Sequence, residues 1–211
     1  MNPRRRTLIA VLGLVPLGAL AQQRSPAPGV DYTELRPGQP VDTQGKIEVL
    51  EFFWYGCPHC YTLEPRLEKW IAALPADVAF RRVPAVLNEG WAREAAVFYS
   101  LEALGVLDKL HRPFFDAIHR DRLSTRDPAA LAQWLAKNGV DTKKYDEALK
   151  SFGVQSKVRR AAQLSAAYRI DGTPALAVHG RFTVSAEQGR TQDGMLAVAG
   201  HLIAVARKGA K

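Results

Sequence analysis

Apolar and polar positions along this chain follow two different periods, and each change of period marks an element. Ile47 to Trp54 is a continuous β-favouring run, the pattern of a central strand covered on both faces, and it ends at Tyr55-Gly56. From Pro58 the spacing becomes helical, with Tyr61, Leu67, Trp70, Ile71 and Leu74 as apolar positions and Pro75 as the stop. Pro65 inside this stretch predicts a kink or break, because it lacks an amide hydrogen. Val78 to Val83 reads as the next strand, so residues 47–83 form a β-α-β unit. Ahead of it, Tyr32 to Leu35 reads as a short first strand, followed by a loop through Pro37, Gly38, Pro40 and Gly45.

From Glu89 to Tyr168 the pattern is almost entirely helical. Trp91 to Leu104 is one helix closed by Gly105, and Val106 to Arg120 another, interrupted at Pro113. Asp127-Pro128 supplies an N-cap and a proline at the first helical position of a helix that Gly139 ends. Asp141 caps the next, which Gly153 ends, and Val154 to Tyr168 completes the set. The stretch "TPALAVHGRFTVS" returns to strand chemistry, with His179-Gly180 as the tight turn of a hairpin, and Gly194 to Arg207 is an apolar closing helix. The predicted fold is therefore α/β, a mixed core with a helical insertion.

The N-terminus changes the picture by setting the compartment. Arg4, Arg5 and Arg6 precede an apolar run from Thr7 to Leu20, and Ala19-Leu20-Ala21 has the small residues of a signal-peptidase site. The run is shorter than the roughly 20 residues that span a bilayer, so residues 1–21 read as a signal peptide cleaved after Ala21, and the mature protein as not membrane-spanning. A periplasmic destination follows. Cleavage removes three arginines and no acids, taking the formal charge from +8 to +5. The remaining basic residues are scattered, with no stripe interleaved with aromatics, which argues against nucleic acid as a partner.

Both cysteines lie in "EFFWYGCPHCYTLEP", with Pro58 and His59 between Cys57 and Cys60. The predicted elements place them at the turn between a central strand and a helix N-terminus. There the first-turn amides lack acceptors and the helix dipole is positive, which favours a Cys57 thiolate. A protonated His59 adds a nearby cation or donor, and Pro58, with fixed φ, stiffens the ring. Cys57 should be the exposed sulfur and Cys60, one turn further in, the shielded resolving thiol. Stabilising the thiolate stabilises the reduced form, so the disulfide becomes an oxidant. The competing chemistries lack residues: there is no second C-x-x-C or H-x-x-x-H pair for zinc, and Tyr61 follows Cys60 where haem attachment would require histidine. A structural disulfide closing so small a ring constrains the unfolded chain little.

In "VLEFFWYGCPHCY", in the "GTP" tripeptide at Gly172 to Pro174 and in the helical block between them, the whole mature chain resembles the DsbA family of periplasmic thiol:disulfide oxidases. The resemblance implies a thioredoxin fold with an inserted helical domain. Residues 22–88 and 169–211 would make the thioredoxin-like domain and 89–168 the insertion. It further implies that a Cys57–Cys60 disulfide is passed to unfolded or partly folded exported polypeptides, that a membrane quinone-linked DsbB-type oxidase restores it, and that no cofactor is held. Cys57 would be the nucleophilic sulfur, and His59 would stabilise its thiolate. Pro174 falls where the fold keeps a cis-proline, so that Thr173 would offer its backbone to an extended substrate. Members often carry valine where this chain has Thr173. Glu51, an acid in an apolar strand, matches a family position beneath the buried cysteine that helps move its proton. Arg82 is its expected basic neighbour, sharing a face with Phe80, and Arg81 takes that place if the register slips by one. Isomerases of the DsbC or DsbG type carry a dimerisation domain for which the residues before Ile47 leave no room, so a monomer is expected. His111, His119, His179 and His201 read as surface or helix-face residues, and Trp70, Trp91 and Trp134 as core or domain-seam packing.

Overall fold

The computed structural model describes residues 24–209; the expected signal segment lies outside them. Along the chain run β1 (Thr33–Glu34), β2 (Ile47–Phe53), α1 (Pro58–Ala72) and β3 (Val78–Pro84). Five helices follow: α2 (Glu89–Ala103), α3 (Leu107–His119), α4 (Pro128–Lys137), α5 (Thr142–Lys150) and α6 (Phe152–Ala167). The chain then returns through β4 (Ala175–Val178), β5 (Phe182–Ser185), a short α7 (Ala186–Gly189) and α8 (Gln192–Gly209). The strands form one sheet in the order β1-β5-β4-β2-β3. Of these neighbours, β2 and β3 pair in parallel, as a β-α-β crossover requires; the other pairs are antiparallel.

All seven residues of β2 are buried, including Glu48 and Glu51, which explains why its sequence does not alternate. Its side chains still divide by pleat. Ile47 and Val49 pack with Leu176, Val178 and Val184 of the sheet, Leu63 and Leu67 of α1, and Leu202 of α8. Leu50 and Phe52 face the other way, into a second cluster with Tyr168, Leu101 and the residues of the helical block. Each Leu or Phe fully withdrawn from water on either face contributes roughly 1.5–3 kcal/mol.

The helix boundaries follow their caps. Asp127 accepts from the amides of Ala129 and Ala130, and Asp141 from those of Lys143 and Lys144, as the sequence predicts. Gly153 does not end α5. Ser151 does so and at the same time caps α6 by accepting from the Val154 amide, which leaves Gly153 inside the first turn of α6. Nor does a proline break its helix. Pro65 sits within α1 and Pro113 within α3, both continuous. Pro65 is exposed, so a carbonyl left without its amide can be hydrated. The first strand is shorter than the pattern suggests, and the pattern does not show α7, which a capping box between Ser185 and Gln188 holds.

The hairpin between β4 and β5 turns on His179 (φ 50°) and Gly180 (φ 67°), two left-handed residues in succession, as a two-residue turn of this hand demands. Gly180 has a second constraint, because a Cβ there would run into the Gln39 carbonyl, while the Gln39 amide donates to the Gly180 oxygen at 2.7 Å. Gly139, also left-handed at φ 78°, would have open space around an added Cβ, with nothing within 4 Å. Gly139→Ala is expected to cost about 1 kcal/mol from backbone conformation alone, and Gly180→Ala at least about 1 kcal/mol more. Denaturant unfolding of both variants checks this; equal costs would show that the approach of residue 39 constrains nothing.

Candidate active site

Cys57 is the N-cap residue of α1, with extended backbone (φ −85°, ψ 116°), and Pro58 begins the helix. No side chain caps this end, so its amides remain free for the sulfur. Pro58 and His59 are exposed. Cys57 keeps 7% of its surface and Cys60 none, which gives the expected order of access although neither is open. Both are free thiols. Opposite them lies the loop before β4, where the Thr173–Pro174 peptide is cis and the Cys57 sulfur sits 3.3 Å from the Thr173 carbonyl oxygen.

The two thiols are pushed in opposite directions. A hydrogen bond from the Cys60 thiol, opposed by burial and aided by the Thr173 side chain and the amides of Cys60 and His59, lowers Cys57 to about 5. Cys60 is driven well above the usual thiol range by burial, by its bond to Cys57 and by the charges of Cys57 and Glu51. His59 thus reaches Cys57 through its amide. Its carbonyl accepts from Gln192 at 3.0 Å and from the Thr62 hydroxyl at 3.2 Å, tying the helix start to α8.

Beneath Cys60 lies a buried ionic cluster. The parallel register sets Glu51 opposite Arg82, whose Nε is 3.2 Å from Glu51 Oε2, while its Nη2 donates to Glu64 Oε2 at 3.0 Å. Glu64 reaches His111 Nε2 at 3.4 Å, and His111 Nδ1 pairs with the Tyr55 hydroxyl at 2.8 Å. Burial, reinforced by the charge of Glu64 and opposed by Arg82, pushes Glu51 up to about 8. Glu64 goes the other way: burial is outweighed by the His111 hydrogen bond and by the charges of His111, Arg82 and Arg112. Arg81, on the opposite face, pairs instead with Glu48 and Asp42.

Another buried acid holds the cysteine turn from the helical block. Glu94 of α2 accepts from the Gly56 amide at 3.0 Å and from the Thr125 hydroxyl at 2.8 Å. Beside it the Trp54 and Trp91 rings stack with centroids 4.5 Å apart, and the Trp54 ring occupies the space a Cβ at position 56 would need. From α3, Asp116 accepts from the Tyr61 hydroxyl at 2.8 Å, and His119 stacks on Tyr61 while its Nε2 donates to the Tyr55 carbonyl at 2.7 Å.

His111 and His119 are therefore not surface residues; His111 is buried and His119 half-buried against the active-site segment. Glu64, Glu94 and Tyr55 are further members of the site that the motif does not announce. Glu64 carries a signal in the sequence, since Cys60, Leu63, Glu64 and Leu67 have the spacing of one helix face. His111 shares such a stripe with Leu110, Phe114 and Phe115. Glu94 carries none, because its partners come from distant loops.

Residues 48–192 match the family of DSBA-like thioredoxin domains. The chain is 41% identical to a thiol:disulfide interchange protein DsbA of Azotobacter vinelandii over 199 residues, 93% of each chain. It is 44% identical to that of Bordetella pertussis over 200 residues, 94% of each. Among solved structures it is similar to Pseudomonas aeruginosa DsbA, with TM-score 0.82 and 37% identity, covering 86% of this chain and 95% of the other.

The lowered Cys57 value carries a pH dependence. An unfolded thiol titrates near 9 and the folded one near 5, so the thiolate stabilises the reduced protein fully above the higher value and not at all below the lower. The melting temperature of the reduced form minus that of the oxidised form is expected to shrink steadily as pH falls from 7 to 4. A gap that stays constant across that range would contradict the thiolate assignment.

Proposed function

We propose that this chain, which belongs to the family of DSBA-like thioredoxin domains, gives a Cys57–Cys60 disulfide to newly exported polypeptides in the periplasm. It is a thiol:disulfide oxidoreductase of thioredoxin fold; the direction of transfer, the substrates and the compartment are what the proposal adds. The observation that carries it is the opposed titration of two sulfurs three positions apart, Cys57 lowered to about 5 and Cys60 raised. A site that stabilises its own thiolate favours the reduced state, so its disulfide is readily given away.

The steps are two displacements. A substrate thiolate attacks the Cys57 sulfur, a substrate–Cys57 bond forms, the Cys57–Cys60 bond breaks, and Cys60 leaves as a thiolate that takes up a proton. A second substrate thiolate then attacks the substrate sulfur of the mixed disulfide. The substrate is oxidised, and Cys57 departs as the stabilised thiolate. Attack falls on Cys57 because Cys60 has no exposed surface. The Thr173 backbone beside the Cys57 sulfur is where an extended substrate would add as a short strand, with Pro174 shaping that loop. Pro58 and His59 set the helix start, and Glu51 with Arg82 supports proton transfer at Cys60. The two electrons gained would pass to a membrane quinone-linked DsbB-type oxidase, with the mature chain acting as a monomer free of cofactor.

Cys60→Ser is expected to accumulate mixed disulfides with exported proteins through Cys57, and Cys57→Ser to accumulate none; nonreducing gels of periplasmic extracts read both. The equilibrium with glutathione should give a reduction potential well above the roughly −270 mV of thioredoxin, and a value at that level would overturn the oxidase reading. Thr173→Val, which leaves the carbonyl contact in place but removes the hydroxyl that helps to lower Cys57, should raise the Cys57 titration by up to about one unit, followed by ultraviolet thiolate absorbance.

A further inference from the structure

Cys57 is the N-cap of α1, the position whose side chain ordinarily accepts from the amides two and three residues further on. Those residues are His59 and Cys60; Pro58, between, has no amide hydrogen to offer. After the Cys60 thiol and the Thr173 side chain, both amides help to hold the Cys57 sulfur as a thiolate. The Cys60 amide belongs to the same peptide group as the His59 carbonyl. A donor bound to that oxygen draws electron density from the nitrogen, and so strengthens the hydrogen bond made on the other side of the peptide, by roughly 10–30%.

The His59 carbonyl has such a donor in Gln192, the first residue of α8. Its Nε2 donates to the His59 oxygen at 3.0 Å and to the Thr62 hydroxyl at 2.7 Å, and the Thr62 hydroxyl donates to the same carbonyl at 3.2 Å. A carbonyl only accepts, so the nitrogen of the Gln192 amide is the atom that faces it. Its oxygen accepts from Arg66 Nη1 at 3.3 Å, while Arg66 Nε pairs with Asp193 at 3.3 Å, so the two charged groups beside the clamp offset one another.

The support behind Gln192 is stiff. Gly189 and Gly194 bring the end of α7 against the first turn of α8 so closely that a Cβ on Gly189 would run into the Met195 backbone, and one on Gly194 into the Gly189 carbonyl. The Thr191 hydroxyl accepts from the Gly194 amide and the Thr191 carbonyl from the Met195 amide, each at 2.9 Å. Met195, Leu196 and Ala199, all buried, then fix α8 in the core. A half-buried carboxamide on such a base holds its donor in one place, which a water molecule at the same carbonyl does not.

We propose that Gln192 is a positioning residue of the redox centre: by holding the His59 carbonyl it orients and polarises the His59–Cys60 peptide, whose amide then binds the Cys57 thiolate more tightly. This rests on the reading of Cys57 and Cys60 as exchanging thiols. The hydrogen bonds of Gln192 reach neither sulfur, so its influence passes through the peptide. It falls on the reduced state, because in the disulfide Cys57 carries no charge. The equilibrium that reads it is reduction by glutathione. Two glutathione thiols give up two electrons and two protons and join as glutathione disulfide; the Cys57–Cys60 bond breaks, Cys60 takes up one proton, Cys57 remains a thiolate at pH 7, and the other proton goes to water.

Gln192→Ala and Gln192→Leu both lack the donor and differ in bulk. Each is expected to raise the Cys57 titration, followed by thiolate absorbance, by about 0.3–0.5 unit, and to shift the glutathione equilibrium about twofold to threefold toward the disulfide. The melting temperature of the reduced form should fall relative to that of the oxidised form. Asp193→Asn loosens the same seam between α1 and α8 through Arg66 without touching the carbonyl, and should not raise the titration. Unchanged titration and equilibrium, with equal loss of stability in both redox forms, would make Gln192 a mere brace and overturn the proposal. So would an equal rise in Asp193→Asn, or opposite effects of alanine and leucine. Should one Gln192 variant fail to fold, the other gives the same reading against Asp193→Asn. If Cys57 of the unaltered protein titrates as an ordinary thiol, or its disulfide does not equilibrate with glutathione, it is the exchange reading that fails.

Discussion

Two acidic side chains with no exposed surface, Glu51 and the ionised Glu64, share one guanidinium under the redox helix, and the architecture around them is constrained by that arrangement. Taking an ion out of water costs several kcal/mol even after relaxation, and the loss is recovered only with close partners in fixed geometry. Arg82 can serve both Glu51 and Glu64 because β2 and β3 pair in parallel with residue 51 opposite residue 82, while α1 crosses over them with Glu64 on its inner face. A slip of one residue between these strands would bring Arg81 into the site and turn Arg82 toward Glu48. The cluster therefore demands a unique register at the centre of the sheet, the place from which the cysteine turn springs.

The helical block holds that turn from outside. Glu94 fixes the Gly56 amide, His119 the Tyr55 carbonyl, Asp116 the Tyr61 hydroxyl and His111 the Tyr55 hydroxyl. Four contacts thus bracket the segment from Tyr55 to Tyr61, each made by a polar side chain on α2 or α3. The loop before β4 supplies the opposing wall through Thr173 and Pro174. The strand-helix turn is held from both sides, and the positions of the Cys57 sulfur and of the first amides of α1 follow from the tertiary frame as much as from the four residues of the motif.

Much of this frame is visible in the sequence where local physics decides. The unbroken run of β2, the cysteines ahead of a helix, the aspartate caps at 127 and 141 and the His179-Gly180 turn all express short-range rules, and the pairing of Glu51 with Arg82 follows from counting by two along a strand. What stays hidden depends on partners far away in the chain. A histidine on an apolar helix stripe looks the same whether it faces solvent or a buried glutamate 47 positions earlier, so His111 acquires its meaning only when α1 and α3 meet. Pro65 and Pro113 mislead for a related reason, because a proline's effect on a helix depends on whether the freed carbonyl has somewhere to go. Gly153 yields to Ser151, whose side chain offers a better cap than a glycine offers a stop.

The stacked indoles of Trp54 and Trp91 join the end of the central strand to the helical block within two residues of Gly56. Two chromophores stacked 4.5 Å apart in nearly parallel planes absorb as a coupled pair, and the sign and strength of that coupling depend on their relative orientation. One ring belongs to the segment that carries the nucleophile and the other to α2. The chain therefore carries its own optical gauge of how the cysteine turn sits against its helices, legible by near-ultraviolet dichroism without any label.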